Sequence, residues 1–272
     1  GVNNTSPGAR MADAGYVFEG AWQWSENLAW TGTTGSLDLA EAVDAHHEGL
    51  FRSSGHRTNT FDEDVREIGV AQVAGNYEIE GASYNSSMLT EQFALSGETV
   101  FVTGVAFVDT DADAFYSIGE GIEGIKFVAS GEEATTSQAG GYALGLDGVT
   151  EATVDIMQGN TTLGRVNLDM RDGNVKVDVV VNGDGDYALA LSGNANLGGG
   201  INDAYLLGAG DLKLMGNAEA NVLTGNRGNN VLSGGDGCDR LVGGNGSDRL
   251  YGGDLGDRLY GGNGRDVLVG GD

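Results

Sequence analysis

The chain has 272 residues, with 40 acidic against 14 basic side chains and a net charge of −26 at pH 7. That balance excludes the basic face that nucleic acid or an anionic membrane needs. A lone cysteine, Cys238, excludes an internal disulfide, and no apolar run reaches the ~18 residues that would span a bilayer.

A chain of this length holds two or three modest domains. It opens on GVNNTSPGAR, which is no signal peptide, and it stops inside a repeat, so we expect a fragment of a longer protein. Residues 1–97 begin with a short predicted helix in SPGARMADAGY. Ser6 would cap it, Pro7 suits its first turn, and Gly15 would end it. A second helix is predicted in SLDLAEAVDAHHEGLF from Ser36, with Leu39, Val43, His46 or His47, and Leu50 as its apolar stripe. EIGVAQV and MLTEQFAL read as strands. His46 and His47 are neighbours, so on a helix they diverge by about 100° and are not a paired ligand set.

SENLAW, HHEGLFRSSGHRTN, REIGVAQV and TEQFA, in that order, resemble the bacterial branch of the CAP superfamily of SCP-like extracellular proteins. The resemblance covers about residues 5–97. It implies an α-β-α sandwich with a cleft lined by two histidines and two glutamates. Glu26 matches the first family glutamate and His56 the second histidine. The other histidine would lie upstream of Gly1, and Ser53 stands near the place of the second glutamate. An imidazole near a carboxylate can hold a divalent metal such as zinc or act as a general base. Glu26 and His56 are therefore the candidate catalytic pair, and zinc the candidate metal of the cleft. The family resemblance further implies a lipid, sterol or carbohydrate ligand.

Residues 98–182 alternate apolar and polar side chains in short runs, among them VFVTGVAFV, GIKFVAS, GGYALGL, ATVDIMQ and VKVDVVV, broken by Gly, Asp and Asn. Six or seven such runs predict a β-sandwich. Within it, DTDADAFYSIGE sets Asp109, Asp111, Asp113 and Glu120 at the spacing of a calcium loop. Phe115 would offer its carbonyl, and Ser117 stands where a water often mediates. Ala114 replaces the usual glycine, and the flanks read as strands, which argues against a true EF-hand. VTGVAFVDTDADAFYSIGEGIEGIKFVAS resembles the start of the Ig-like, prealbumin-like B repeats of bacterial surface proteins, the SdrD type. It implies an Ig-like spacer that holds calcium.

Residues 183–272 repeat every nine residues, in eight units from Gly198 to Val269. The eighth place holds Tyr205, then Leu214, Leu223, Leu232, Leu241, Leu250, Leu259 and Leu268. The sixth holds Asp203, Leu212, Asn221, Asn230, Asp239, Asp248, Asp257 and Asp266. A flexible glycine linker would not keep the leucine period. A period of nine is too short for a helical repeat and fits a short strand, leucine inward, followed by a glycine-rich turn. Two units then make one coil, and Asp239 stacks over Asp257, Asp248 over Asp266. Strands lie roughly 4.8 Å apart, and calcium takes oxygens at about 2.3–2.6 Å, so one ion can reach both coils. Without it, the facing carboxylates repel by roughly 3–4 kcal/mol at an effective dielectric near 20. The candidate ligands are Asp203, Gly234, Asp236, Asp239, Gly243, Asn245, Asp248, Gly252, Asp254, Asp257, Gly261, Asn263 and Asp266.

GGDGCDRLV, GGNGSDRLY and GGNGRDVLV resemble the nonapeptide of RTX proteins, and GNAEANVLT and GNRGNNVLS resemble its asparagine variants. The resemblance implies a parallel β-roll, several calcium ions in its turns, and export of the unfolded chain by type I secretion from a Gram-negative bacterium. Leu212, Asn221 and Asn230 lack the carboxylate, so early coils should bind weakly or not at all. Leu255 in place of a glycine should loosen one turn. The whole reads as a secreted, multidomain calcium-binding protein: an N-terminally truncated CAP-like α-β-α sandwich for an extracellular lipid, glycan or protein ligand, an Ig-like β-sandwich, and a parallel β-roll. The competing readings are a hydrolase or peptidase using Glu26 and His56, and a surface adhesin or matrix component.

Overall fold

The computed structural model describes residues 9, 11–12, 23–60, 65, 67–79, 81–95, 97–117 and 119–272. The chain divides into two compact units, Gly1–Glu98 and Thr99–Asp272.

In the first unit, β1 (Gln23–Thr33), β2 (Glu67–Ile79) and β3 (Ala82–Leu95) form an antiparallel sheet in the order β1-β3-β2. Gly81, at φ +81°, stands in the turn between β2 and β3. Helix α1 (Leu39–Arg52) and helix α2 (Ser54–Thr60) follow β1. The helix predicted from Ser36 starts later: the Asp38 carboxylate accepts the Glu41 N–H at 3.3 Å and caps α1. Its buried stripe is Ala42, His46 and Leu50, spaced by four, while Leu39, Val43 and His47 face solvent. The helix predicted between Ser6 and Gly15 lies outside the described residues, apart from helical Ala9, Met11 and Ala12.

The α-β-α sandwich is not supported. Among the described residues this unit has two layers, with helices on the sheet face that carries Asn27, Ser87 and Leu89. Its other face leaves Leu28, Trp30, Val73, Tyr77 and Met88 exposed, where a second helical layer would have buried them.

The second unit is almost entirely β. Seven strands precede the repeats: β4 (Thr99–Val108), β5 (Ile125–Ala129), β6 (Glu132–Thr135), β7 (Gly141–Asp147), β8 (Glu151–Gln158), β9 (Thr161–Asp169) and β10 (Val175–Val181). Their alternating residues bury Val102, Phe127, Leu144, Val154, Ile156, Val166 and Val177 between two sheets. Phe127 and Tyr142 stack there with ring centroids 3.6 Å apart.

Ten further strands complete the unit: β11 (Tyr187–Leu191), β12 (Ala195–Leu197), β13 (Asp203–Leu206), β14 (Lys213–Met215), β15 (Val222–Thr224), β16 (Val231–Asp236), β17 (Arg240–Asn245), β18 (Arg249–Asp254), β19 (Arg258–Asn263) and β20 (Val267–Gly271). They extend the same two sheets. One runs β19-β17-β15-β13-β11-β10-β4-β7 and the other β20-β18-β16-β14-β12-β9-β8-β5-β6. Strands β11 and β12 are the adapters: each pairs antiparallel with the preceding sheet and parallel with the solenoid.

From β14 and β15 onward, strands pair in parallel with residues 18 apart, such as Leu232 with Leu250 and Leu241 with Leu259. This is a parallel β-roll. Leu214, Leu223, Leu232, Leu241 and Leu250 are fully buried, in one apolar core continuous with Val100, Phe127 and Val177. Each buried leucine stabilises by about 1.5–3 kcal/mol relative to exposure. The first nonapeptide, from Gly198, departs from the register of the others. Asp203 pairs with Val222, so the small Ala204 and not Tyr205 points inward. Tyr205 instead donates its hydroxyl to the Ala114 carbonyl at 3.3 Å.

Candidate metal centre

The turns between roll strands come in two kinds, set by the residues at the second and sixth places. In the Asn turns, the Asn217 N–H donates to Asn221 Oδ1 at 2.9 Å, and Asn221 Nδ2 donates back to Asn217 Oδ1 at 3.0 Å. Asn226 and Asn230 repeat the exchange at 2.8 and 3.0 Å. These turns satisfy their own amides.

In the Asp turns the second place is glycine: Gly235, Gly244, Gly253 and Gly262, all at positive φ. No side chain answers the sixth. One oxygen of each aspartate accepts an N–H from the preceding coil. Asp239 Oδ1 takes it from Asn221 at 2.8 Å, Asp248 from Asn230 at 2.7 Å, Asp257 from Asp239 at 2.9 Å and Asp266 from Asp248 at 3.0 Å. The second oxygen of Asp239, Asp248 and Asp257 is buried with no hydrogen-bond partner. A buried, unpaired carboxylate oxygen is among the costliest groups a fold can hold.

Around that oxygen the wall is backbone. A Cβ added at Gly234 would strike Asp239 Oδ2 and come within 2.7 Å of the Gly252 carbonyl of the next coil. Gly243 stands likewise against Asp248 Oδ2 and the Gly261 carbonyl, and Gly252 against Asp257 Oδ2 and the Gly270 carbonyl. A carboxylate oxygen and a carbonyl thus converge from two coils on a cradle that only glycine leaves open. Oxygen-only donors, one of them anionic, suit calcium. Burial pushes the Asp239 and Asp248 carboxyls up in pKa, and their N–H donors oppose the rise. Asp257 and Asp266 then raise them further by repulsion.

The remaining candidates occupy other places of the repeat array. Asp236 and Asp254 are exposed register partners. Asn245 and Asn263 form an amide ladder, with Nδ2 of Asn263 donating to Asn245 Oδ1 at 2.9 Å. Asp203 accepts the Val222 N–H at 3.2 Å, and burial raises its pKa.

In the loop after β4, the ligand atoms of Asp109, Asp111 and Glu120 lie within 4.8 Å of one another. Among the described residues this is the one group of three metal-binding side chains so gathered. Glu120 is buried; it takes the Thr110 N–H at 2.9 Å and the Ser117 N–H at 2.8 Å, and hydrogen bonds from Thr110 and Ser117 hold its pKa down. Asp113 accepts the Phe115 N–H at 2.7 Å and lies outside the group, and the Phe115 side chain is exposed. Ala112 and Ala114 sit at φ +61° and +62°, a strained region for residues with a Cβ.

Glu26 accepts hydrogen bonds from Gln92 at 3.0 Å and Thr90 at 3.3 Å. Its neighbour Asn27 points to the other face, where it meets the His56 carbonyl, Thr60 and Asn59. The Glu26 carboxylate and the helix bearing His56 therefore lie on opposite faces of the sheet. His56 Nδ1 is buried without a partner. Nothing here supports zinc.

Residues 215–250 and 251–272 match the profile of the RTX calcium-binding nonapeptide repeat. The tail is an RTX repeat array. The match begins at Met215, next to where the 18-residue pairing becomes regular. RTX repeats bind calcium, and the matched residues carry the Asp turns whose open oxygen donors suit that cation. No curated protein and no solved structure matches the chain. Among the described residues no helix is long and apolar enough to cross a membrane.

Proposed function

We propose that this is a secreted protein whose RTX roll closes around calcium after export. The observation that carries the reading is the buried, partnerless second oxygen of Asp239, Asp248 and Asp257. Those three aspartates, with the carbonyls of Gly252, Gly261 and Gly270, would hold the ions. Bound calcium supplies positive charge between facing coils. The chain supplies the rest: N–H groups that fix one oxygen of each carboxylate, and glycines that leave room beside the other. At free calcium 100 times the dissociation constant, each site adds about 2.7 kcal/mol. Extracellular modules tuned to about 10⁻⁴–10⁻³ M stay open in a cell and close outside it.

Asp109, Asp111 and Glu120 form a further calcium site in the same reading, and residues 98–182 serve as an Ig-like sandwich whose two sheets the roll at 183–272 extends. The gathered carboxylates and the two strained alanines support that site. Far-UV circular dichroism tests the proposal. Chelator should remove part of the β signal, and millimolar calcium should restore it along a steep titration. A spectrum and melt indifferent to chelator would overturn it.

A further inference from the structure

The start of the roll is held from outside as well as from within. On the outer face of the sheet, across β13, β11, β10 and β4, lies a second apolar cluster separate from the main core. Phe107, Val180 and Ala190 are buried there, with Tyr116, Tyr205 and Leu207 packed on them. Their cover comes from the loop that leaves β4 at Asp109 and returns at Glu120. The loop is pinned at both ends: the Asp109 N–H donates to the Val181 carbonyl at 2.9 Å, and the Val108 N–H to the Glu120 carbonyl at 3.0 Å. Between them, the Tyr116 ring meets Phe107 edge-on with centroids 6.0 Å apart. From the roll side, the Tyr205 hydroxyl donates to the Ala114 carbonyl of the same loop. Burial first, then Asp178 and Asp109, push the Tyr205 pKa up to about 12, so at neutral pH it keeps the proton it donates. The slipped register of the first nonapeptide is what turns Tyr205 outward, under the loop. Tyr205 is also the one eighth place of the array without leucine.

We propose that this loop is a strap that keeps the first nonapeptide folded without calcium, and so sets how much calcium the later coils need. A solenoid unit gains its interface energy only against an ordered neighbour. Strand β13 is that neighbour for β15, and β15 for β17. With β13 held by the strap, the Asp coils add to an existing edge and need not order one. Neither tyrosine lies in an Asp turn, so the strap acts on calcium through the template alone. Retention of β13 in chelator does not depend on the calcium reading of the Asp turns; the effect on the later coils rests on it.

The test compares the full chain with a Tyr116→Ala/Tyr205→Ala variant, by amide exchange in chelator and by calcium titration followed with circular dichroism. In chelator, Asp203–Leu206 should be protected in the parent chain and lose roughly tenfold or more of that protection in the variant. Strands β8 and β9 should stay protected in both. The calcium midpoint of the variant should rise roughly threefold. Tyr205→Phe, which removes only the hydroxyl, should shift both readouts the same way by less. Tyr251→Ala, which removes an exposed ring from β18, should leave β13 protection in chelator unchanged. A β13 unprotected in the parent chain, unchanged protection in the double variant, an equal loss in Tyr251→Ala, or a midpoint that does not move would overturn the proposal. Should the double variant also lose protection in β8 and β9, Tyr205→Phe decides alone, and no shift in either readout overturns it. A tail indifferent to calcium in the parent chain would instead sink the calcium reading, and the coupling with it.

Discussion

Asp239 and Asp248 titrate in a direction that makes calcium and protons interchangeable in the roll. Burial, more than any other cause, raises both carboxyl pKa values in the folded state. A carboxyl so raised stabilises the fold fully below its unfolded pKa, about 3.9, and that stability is lost as pH rises through the folded value. Acid should therefore stand in for calcium. In chelator, the β signal of the tail should recover as pH is lowered from 7 toward 4; a signal that only declines would contradict the burial argument. Leu255 tests the turns from another side. It sits at φ +75°, where the other Asp turns place Gly237, Gly246 and Gly264. Leu255→Gly should relieve about 1 kcal/mol of backbone strain, read as a higher thermal midpoint in calcium. The aspartates were legible in the sequence because they recur at one place in each unit. The self-closing of Asn221 and Asn230 rests on the asparagines at the second place, Asn217 and Asn226. Their pairing with the sixth-place asparagines was present in the sequence, but it acquires meaning only when the two side chains are seen to face each other.

At the scale of elements, α1 shows how a correct helix can carry a misplaced stripe. Leu39 and Val43 are the more apolar residues, yet Ala42, His46 and Leu50 face the sheet. His46 meets the Ser87 hydroxyl at 3.1 Å, and Ser87 also receives the Gln72 amide at 2.9 Å. A polar group on the sheet thus chose the helix face, which a hydrophobic pattern does not reveal. Burial lowers the His46 pKa from its usual 6.5, against a hydrogen bond to Ser87. The folded unit then binds fewer protons than the unfolded one, so its stability is full above the unfolded pKa and falls as pH drops through and below 6.5. The three tryptophans all lie in this unit, so their fluorescence reports it alone. Its melting temperature should fall between pH 7.5 and 5.5, and His46→Gln should flatten that slope. An equal slope in the variant would assign the effect to another group.

At the scale of the second unit, the roll is not a free-standing solenoid. Strands β4 to β10 already hold both sheets, and β11 and β12 turn each from antiparallel to parallel pairing. The period of nine made the coils legible. It could not show this junction, because antiparallel partners such as β9 and β12 share no repeat, and because the first coil slips by one residue at Asp203. The coils nearest the junction have Asn turns that need no ion, and those beyond it have Asp turns with an open oxygen. Amide hydrogen exchange at pH 7, with and without chelator, tests that division most directly. We predict that chelator strips protection from Arg240–Gly271 while Val175–Thr224 keeps it. Protection of Arg240–Gly271 that is the same in chelator as in calcium would contradict the claim that calcium holds these coils together.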